Sequence, residues 1–536
     1  MGEKQPVFIL QDNVSRTLGK DAQRNNILAA KVVADVVKTT LGPKGMDKML
    51  VDSSGEITVT NDGVTILEEM EIDHPAAKMM VEIAKTQDNE VGDGTTTAAL
   101  LAGKLLENAE KLLDKKIHPT VIVKGYRLAA EKSMQILNEI SIPLESKDVL
   151  RQIAMTAMTG KGAEVSKEKL SNLVVDAIDQ VADGRKVRLD DVKIEKVKGD
   201  SVSDSELIQG IVIDKERVNA DMPAMVKNAK ILLVDFPIEL KNPEAETKIS
   251  VSTPEQLENF IKSEEQYLKD MTAKIIASGA NVVFCQKGID DVAQYYLSTA
   301  GIFACRRVAK SDMEKLARAT SGRIISNIGE INEHELGKAE IVEEIKKGED
   351  SLTYVRGCEN PKAVTLIVRG GTNHVIDEVE RAIKDGLGVV VSAVNVGKVV
   401  AGGGAIEMEL SRRLRIFAKT LGGREQLAIE EFANSLEAVP EALAENAGLD
   451  PIDVLTELKK RHEDGMSRSG LNLFNTGISD TFEAGIIEPL KVKTQAINSA
   501  SEVATMILRI DDILVSKSSS GGNMPQAFKN PYQGMD

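Results

Sequence analysis

The chain of 536 residues is too long for one core, and its length alone points to about three or four domains. Hydrophobic residues at 42% and charged residues at 28% are those of an ordinary soluble globular protein. With 83 acidic against 67 basic residues, a formal net charge of −16, ten Phe, six Tyr and no Trp, it lacks the basic face of a duplex binder and the stacking platforms of a single-strand binder, so nucleic acid is not an expected partner.

Cys285, Cys305 and Cys358 are far apart and form no CxxC pair, and the five histidines include no HExxH. Neither a disulfide nor a metal framework is legible, and a reducing intracellular compartment is expected. The N-terminal apolar run "VFIL" is too short for a signal peptide, and Pro6 stands where a myristoylation motif wants Ser or Thr. No segment approaches the roughly 20 apolar residues of a membrane span. The protein is expected to be soluble and cytoplasmic.

In chain order, residues 21–41 place Ile27, Ala30, Ala34, Val37 and Leu41 on one helical stripe, which "LGPKG" stops. "EITVTNDGVTIL" alternates Ile57 and Val59, then Val64 and Ile66, around Asn61-Asp62-Gly63, and predicts a hairpin over 57–66. Helices are predicted over about 75–90 and 96–113. The centre differs: "AKILLVDFPIEL", "ANVVFCQKG" and "KAVTLIVRGG" read as short strands separated by helical segments, an α/β unit. Long helical patterns return from about 404, followed by a strand at "DDILVSK" and a tail over 518–536 whose Ser, Gly and Pro predict disorder. No internal repeat is present.

One central helix is sharply announced. Thr253-Pro254-Glu255-Gln256 offers a Thr N-cap, Pro at the first helical position and Gln at the third. The helix should run to about Ser278, about 38 Å at 1.5 Å per residue. Its stripe of Leu257, Ile261, Leu268, Met271 and Ile275 is interrupted by Glu264. Either it lies on the surface throughout, or its first half stands off the domain with Phe260 and Ile261 exposed for a partner.

The familiar nucleotide motifs are missing: no GxxxxGK[ST] occurs, and no GxGxxG opens a helix. In "GDGTTT", Gly92 and Gly94 let backbone amides approach an anion, and Thr95, Thr96 and Thr97 add N–H groups and hydroxyls at a helix N-terminus. Asp93 would repel a phosphate unless Mg²⁺ lay between them; an Asp or Thr N-cap explains the same residues. Asp62 in Asn-Asp-Gly is ordinary turn chemistry. "TNHVIDEVERAIKDGLG" carries a stripe of Val375, Val379 and Ile383 with Gly386 as its stop. That puts Asp385 in the last turn, against the helix dipole, and an uncompensated local misfit marks function where it is not a solvated surface group. Gly402, Gly403 and Gly404 permit close approach to a ligand or tight packing alike. Lys161, between Gly160 and Gly162, is either a mobile cation able to sense a phosphate or an exposed loop lysine.

Together, "TLGPKG" (40–45), "NDGVTI" (61–66), "GDGTTT" (92–97), "AGGG" (401–404) and "GIIEP" (485–489) resemble the chaperonin family in order and spacing, over essentially the whole chain. The Thr253 helix, "LLVDFPIEL" and "GIVIDKERV" are similar to the group II branch, the archaeal thermosomes and their eukaryotic cytosolic relatives. The resemblance implies a multidomain α+β fold with nested connectivity. It places a helical equatorial ATPase domain over 1–145 and 404–536 and a small α/β intermediate domain over 146–214 and 368–403. An apical α/β domain over 215–367 would carry a helical lid protrusion at about 240–278.

Roles follow from the same resemblance. Leu41, Gly42 and Pro43 stand where backbone lines the nucleotide phosphates. Asp93 matches the Mg²⁺ ligand, and Gly94, Thr95, Thr96 and Thr97 the phosphate loop. Gly403 and Glu488 match adenosine contacts, with Gly402 beside them, and Lys161 belongs to the nucleotide site. Asp62 and Asp385 match the carboxylates that orient or deprotonate the attacking water, Asp385 arriving only when its domain swings down. The implied protein is an ATP-dependent chaperone, a double-ring chamber of identical or paralogous subunits with a built-in lid, binding non-native polypeptides without a separate co-chaperonin, nucleic acid or membrane. The hairpin at 57–66, "PVFIL" and "DDILVSK" are candidates for pairing with a neighbouring subunit. A nucleotide-independent holdase or scaffold is the alternative; the retention of Asp62, Asp93 and Asp385 argues against it.

Overall fold

The computed structural model describes residues 14–161, 166–199, 201–240, 253–347, 350–359, 361–475 and 477–516. Three bodies with separate cores are threaded one inside another. The two ends of the chain share the first core, in which Ile27, Ala34, Met80, Leu106 and Ile122 meet Phe432, Ile497 and Ala504. Helix Thr95–Asp114 is its axis: Leu100, Leu101, Leu105, Leu106 and Leu112 are buried on every side of it, as expected of a central helix. Tyr126 is fully buried against the edge of the Phe432 ring, and its hydroxyl donates to the Leu105 carbonyl at 2.8 Å. Helix Gly19–Lys38 buries Ile27, Ala30, Ala34 and Val37, whereas Leu41 lies beyond its end, in the loop.

The second body packs helices Lys147–Met158, Lys167–Val181 and Asn373–Val396 around Ile153, Leu170, Val174, Val379 and Ile383. Its sheet has Val364–Gly370 in the middle, parallel to Val192–Lys198 and antiparallel to Glu206–Ile208. The third body is a seven-stranded mixed sheet. Met225–Val234, Val282–Cys285 and Phe303–Cys305 run parallel, and Gly337–Lys347, Asp350–Arg356 and Gly210–Ile213 continue antiparallel. An apolar cluster lies on each side of it. The predicted central strands and long terminal helices are all present, and Asp512–Ser516 forms the predicted last strand, paired with Val14–Leu18 of the same chain. "PVFIL" and the 518–536 tail lie outside the described residues.

Two expectations are corrected. The hairpin is formed by Lys48–Val51 and Ile57–Thr60, turning at Asp52–Gly55, and Asn61-Asp62-Gly63 is no turn. Asp52 accepts the N–H groups of Ser54 and Glu56 at 2.9 and 2.8 Å, which closes the loop. Asp62 instead caps helix Gly63–Glu69, its Oδ2 accepting from the Thr65 N–H at 3.1 Å and hydroxyl at 2.7 Å. Asp serves a cap as readily as a turn, and burial of Val64, Ile66 and Leu67 in the first core decides between them. Likewise Gly386 does not end a helix. Helix Asn373–Val396 runs through it to Gly397, where φ is 70°, so Asp385 is mid-helix and not in a last turn. A β-carbon on Gly386 would meet Met158 Cε at 2.5 Å, and one on Gly388 would meet the Val91 carbonyl at 2.8 Å. These glycines admit neighbouring chain segments rather than stop the helix.

Thr253 caps helix Pro254–Ala277, its hydroxyl accepting the Gln256 N–H at 3.3 Å. Leu268, Met271 and Ile275 are buried, whereas Phe260 is 39% and Ile261 54% exposed. The helix is seated by its second half only. The side chain of Leu257 lies outside the described residues.

Candidate functional site

Helix Pro75–Val91 ends at Gly92, and helix Thr95–Asp114 begins at Gly94; both glycines are left-handed, with φ of 78° and 79°. Asp93 therefore sits between one helix's C-terminus and another's N-terminus. Gly94 offers no side-chain cap, so the first amides of the Thr95 helix stay open, an anion site aligned with the helix dipole. Buried Gln87 donates to the Asp93 carbonyl at 2.8 Å and the Val492 carbonyl at 3.3 Å, fixing this loop from behind. Asn446 fixes the opposite wall, donating to the Lys38 and Leu41 carbonyls at 3.0 and 2.9 Å. Sequence reasoning missed both residues because neither belongs to a local motif.

A cavity of about 320 Å³ lies over this loop, lined by Leu41, Gly42, Pro43, Asp62, Asp93, Gly94, Thr95, Thr96, Thr97, Lys161, Gly403 and Glu488. Segments far apart in the chain thus converge. Gly402 lies behind the wall, where a β-carbon would come within 2.7 Å of Glu488 Oε1. Asp385 reaches the cavity through Lys161. Phe260 and Ile261 belong to the separate Thr253 helix. Leu471 and Leu473 give the lining an apolar stretch beside Gly403, Leu443 rests on Gly42, and Lys167 lies 4.8 Å over the Phe474 ring at the margin.

Lys161 is neither exposed nor loosely held, which corrects the picture of a mobile loop lysine. Its ammonium pairs with the Asp385 carboxylate and stands 3.7 Å from Asp93 Oδ1. Burial lowers its pKa, but Asp385, Asp93 and Asp62 outweigh it and keep the ammonium charged. Burial drives Asp385 up to about 8; Lys161 opposes this, and Asp62 and Asp93 add to it. Asp88, also missed from sequence, rises to about 6 through burial and the Asp62 charge. Its position one turn before Gly92 on the Pro75 helix was the available signal.

The second body touches this loop through backbone. Asn61 donates to the Gly160 carbonyl at 2.5 Å, Gly160 rests on Gly42 and Pro43, and Gly388 rests on Val91 and Gly92. Chemically, the arrangement suits a polyanion at the helix N-terminus, an apolar group against Leu471 and Leu473, and a proton acceptor. Among the described residues no three acidic, His or Cys side chains converge as a self-sufficient metal centre. A divalent cation at Asp93 would complete its shell with ligand oxygens and water, as Mg²⁺ does with nucleotides.

Known proteins match this chain along nearly its whole length. The profile of the TCP-1/cpn60 chaperonin family matches residues 33–518. Thermosome subunit beta of Archaeoglobus fulgidus is 57% identical over 519 residues, covering 96% of this chain and 95% of that protein. The thermosome subunit of Methanopyrus kandleri is 57% identical over 525 residues, covering 97% and 96%. Among solved structures, the open-state monomer of a group II chaperonin from Methanococcoides burtonii is 49% identical, with a TM-score of 0.59, over 78% of this chain and all of that one. No helix among the described residues is long and apolar enough to cross a membrane. The chain belongs to the TCP-1/cpn60 chaperonin family, as a molecular chaperone of its group II, thermosome branch.

Proposed function

We propose that the chain is an ATP-hydrolysing subunit whose cavity binds Mg²⁺-ATP and whose turnover drives closure of a folding chamber. The observation that carries this reading is the meeting of an open helix N-terminus, Asp93 and Asp62 with an Asp385–Lys161 pair brought in by an inserted body. The Thr95 helix amides and the Gly42–Pro43 backbone would hold the phosphates, and the apolar stretch at Leu471 and Leu473 the base. Bound Mg²⁺ would be held by Asp93 and would neutralise phosphate charge. Asp62 and Asp385 would orient the attacking water and take its proton, as a pair rather than as one assigned base. Lys161 leaves a carboxylate when a phosphate offers it a better partner.

The nested bodies would then be an equatorial, an intermediate and an apical domain close to the bounds expected from sequence, with strand Gly210–Ile213 going to the apical sheet and strand Val364–Gly370 to the intermediate one. Because Asp385 and Lys161 sit on the intermediate domain, hydrolysis would await its descent onto the Asp93 loop. The exposed tip of the Thr253 helix, with Phe260 and Ile261, would serve the lid and apolar segments of non-native chains. The subunits, identical or paralogous, would stack in two cytoplasmic rings. Neighbours would pair the exposed hairpin strands Lys48–Val51 and Ile57–Thr60 against the sheet of Val14–Leu18 and Asp512–Ser516.

The test is ATP turnover and closure of wild type against Asp385→Ala. The variant should bind ATP normally, lose turnover by about 10²–10⁴-fold and fail to close by hydrolysis. Unchanged turnover removes Asp385 from the mechanism.

A further inference from the structure

Beside the Asp93 loop, behind the cavity wall, lies a buried three-charge group that the hydrolytic chemistry does not use. Lys493, in the first turn of helix Leu490–Leu508, is almost wholly buried. Its Nζ donates to Glu407 Oε1 at 2.9 Å and Glu488 Oε2 at 2.7 Å. Glu407 is buried in the first turn of helix Ala405–Ala418, where the dipole favours a negative charge, and its Oε2 has no hydrogen-bond partner. Glu488 is partly open to the cavity, with Oε1 beside Gly402.

A buried ion pair kept only for stability is a poor choice, since apolar side chains of similar size do as well or better. Here two carboxylates share one ammonium, leaving a net negative charge at the cavity wall and one buried oxygen unsatisfied. Such an arrangement is explained when one carboxylate is being aimed. Lys493 occupies Oε2 of Glu488 and leaves Oε1 at the wall, and Glu407 holds Lys493 from behind. The missing side chain of Gly402 leaves room for that carboxylate. We propose that Lys493 is a positioning residue for the sugar of the bound nucleotide, holding Glu488 so that its Oε1 accepts from a ribose hydroxyl. This rests on the ATP reading of the cavity.

Val492 adds a consequence for the whole site. Its carbonyl accepts from Gln87 Nε2, and its Cγ1 would lie 3.0 Å from a β-carbon on Gly94. The lysine that holds Glu488 and the residue that supports the Asp93 loop are therefore neighbours on one helix turn.

The experiment is calorimetric binding of ADP, 2′-deoxy-ADP and 3′-deoxy-ADP, each with Mg²⁺, to the full-length protein. Wild type should bind the weaker of the two deoxy analogues roughly tenfold less tightly than ADP, the worth of one hydrogen bond to a charged acceptor. Glu488→Ala should abolish that preference. Lys493→Met should reduce it to within about twofold, with ADP affinity falling more than that of the deoxy analogue. A preference retained in Lys493→Met overturns the proposal, as does an equal loss for all three nucleotides, which marks a merely structural lysine. A preference retained in Glu488→Ala, or absent from wild type, shows instead that Glu488 is not the sugar contact, and the proposal falls with that reading. Should Lys493→Met not fold, Glu407→Leu/Lys493→Met removes the buried pair together and must show the same loss of preference.

Discussion

Two buried charge clusters, one at the Asp93 loop and one under helix Ala405–Ala418, use the same residue types to opposite effect. At the loop, Asp62, Asp88, Asp93 and Asp385 surround Lys161, and the carboxylates outnumber the cation. Under the helix, a single carboxylate, Glu409, receives Arg412 at 2.7 Å, Arg413 at 2.6 Å and His462 at 3.0 Å, while the other His462 nitrogen faces the Ser469 carbonyl at 2.9 Å. Burial pushes both Asp385 and Glu409 upward. Asp385 ends at about 8, whereas hydrogen bonds from His462, Arg412 and Arg413 overcome burial and hold Glu409 at about 2. A cluster short of positive charge is poised to receive a cation or give up a proton; one whose central carboxylate is fully hydrogen-bonded is a rivet.

The sharpest way to break this contrast is to neutralise each carboxylate. Asp385→Asn should cut ATP turnover about as severely as Asp385→Ala, by about 10²–10⁴-fold, with little change in thermal stability, because relief of a buried carboxylate offsets the lost pairing of Lys161. Asp385 has a raised pKa in the folded protein, so its ionisation opposes folding increasingly as pH rises from about 4 to about 8, and the amide removes that penalty. A clear fall in melting temperature at pH 8, with turnover retained, would reverse the two roles. Glu409→Gln should do the opposite. It takes a charged acceptor from His462, Arg412 and Arg413, of which Arg413 keeps Glu139 at 3.2 Å, and should cost about 1–3 kcal/mol in denaturant unfolding, with turnover per folded subunit within about twofold of wild type.

A subtler effect is expected from acid. The depressed pKa of Glu409 contributes stability that is complete above about 4.5 and drains away as pH falls toward 2. Wild type should lose stability through that window more steeply than Glu409→Gln, and parallel acid titrations of the two would refute the assignment. The smallest expected change is at the free end of the Thr253 helix. Phe260→Ser/Ile261→Ser should shift unfolding by no more than about 0.5 kcal/mol per site, since both residues are exposed, yet reduce retention of a denatured test protein. Undiminished retention would remove these residues from substrate capture.

What could be read from sequence was what local chemistry determines. The Thr253 cap, the access that Gly92 and Gly94 give around Asp93 and the helix over about 96–113 follow from residues within a few positions of one another. The pairing of Lys161 with Asp385 does not, for its partners stand 224 positions apart and meet only through the docking of two bodies. Gln87, Asn446 and Lys493 were silent for another reason: each holds the site from behind within the first body, and no residue pattern around it marks that role. Asn61-Asp62-Gly63 misled differently: its residues suit a turn and a helix cap equally, and only the burial of Val64 and Ile66 breaks the tie. Gly386 read as a stop because sequence cannot distinguish a glycine needed for its backbone from one needed for its lack of a side chain.

The half-seated Thr253 helix is a cantilever. From Pro254 to Glu264 it projects roughly 15 Å at 1.5 Å per residue, clamped where Glu265 accepts from the Tyr296 hydroxyl and Leu268, Met271 and Ile275 enter the core. Such a rod has no joint of its own, so its tip cannot be steered separately from its root. A tilt of about 10° at the clamp would sweep Thr253 through about 3 Å over that length. Modest rotations deep in the sheet body thus become large displacements at its edge, and the amplification comes from where the apolar stripe stops.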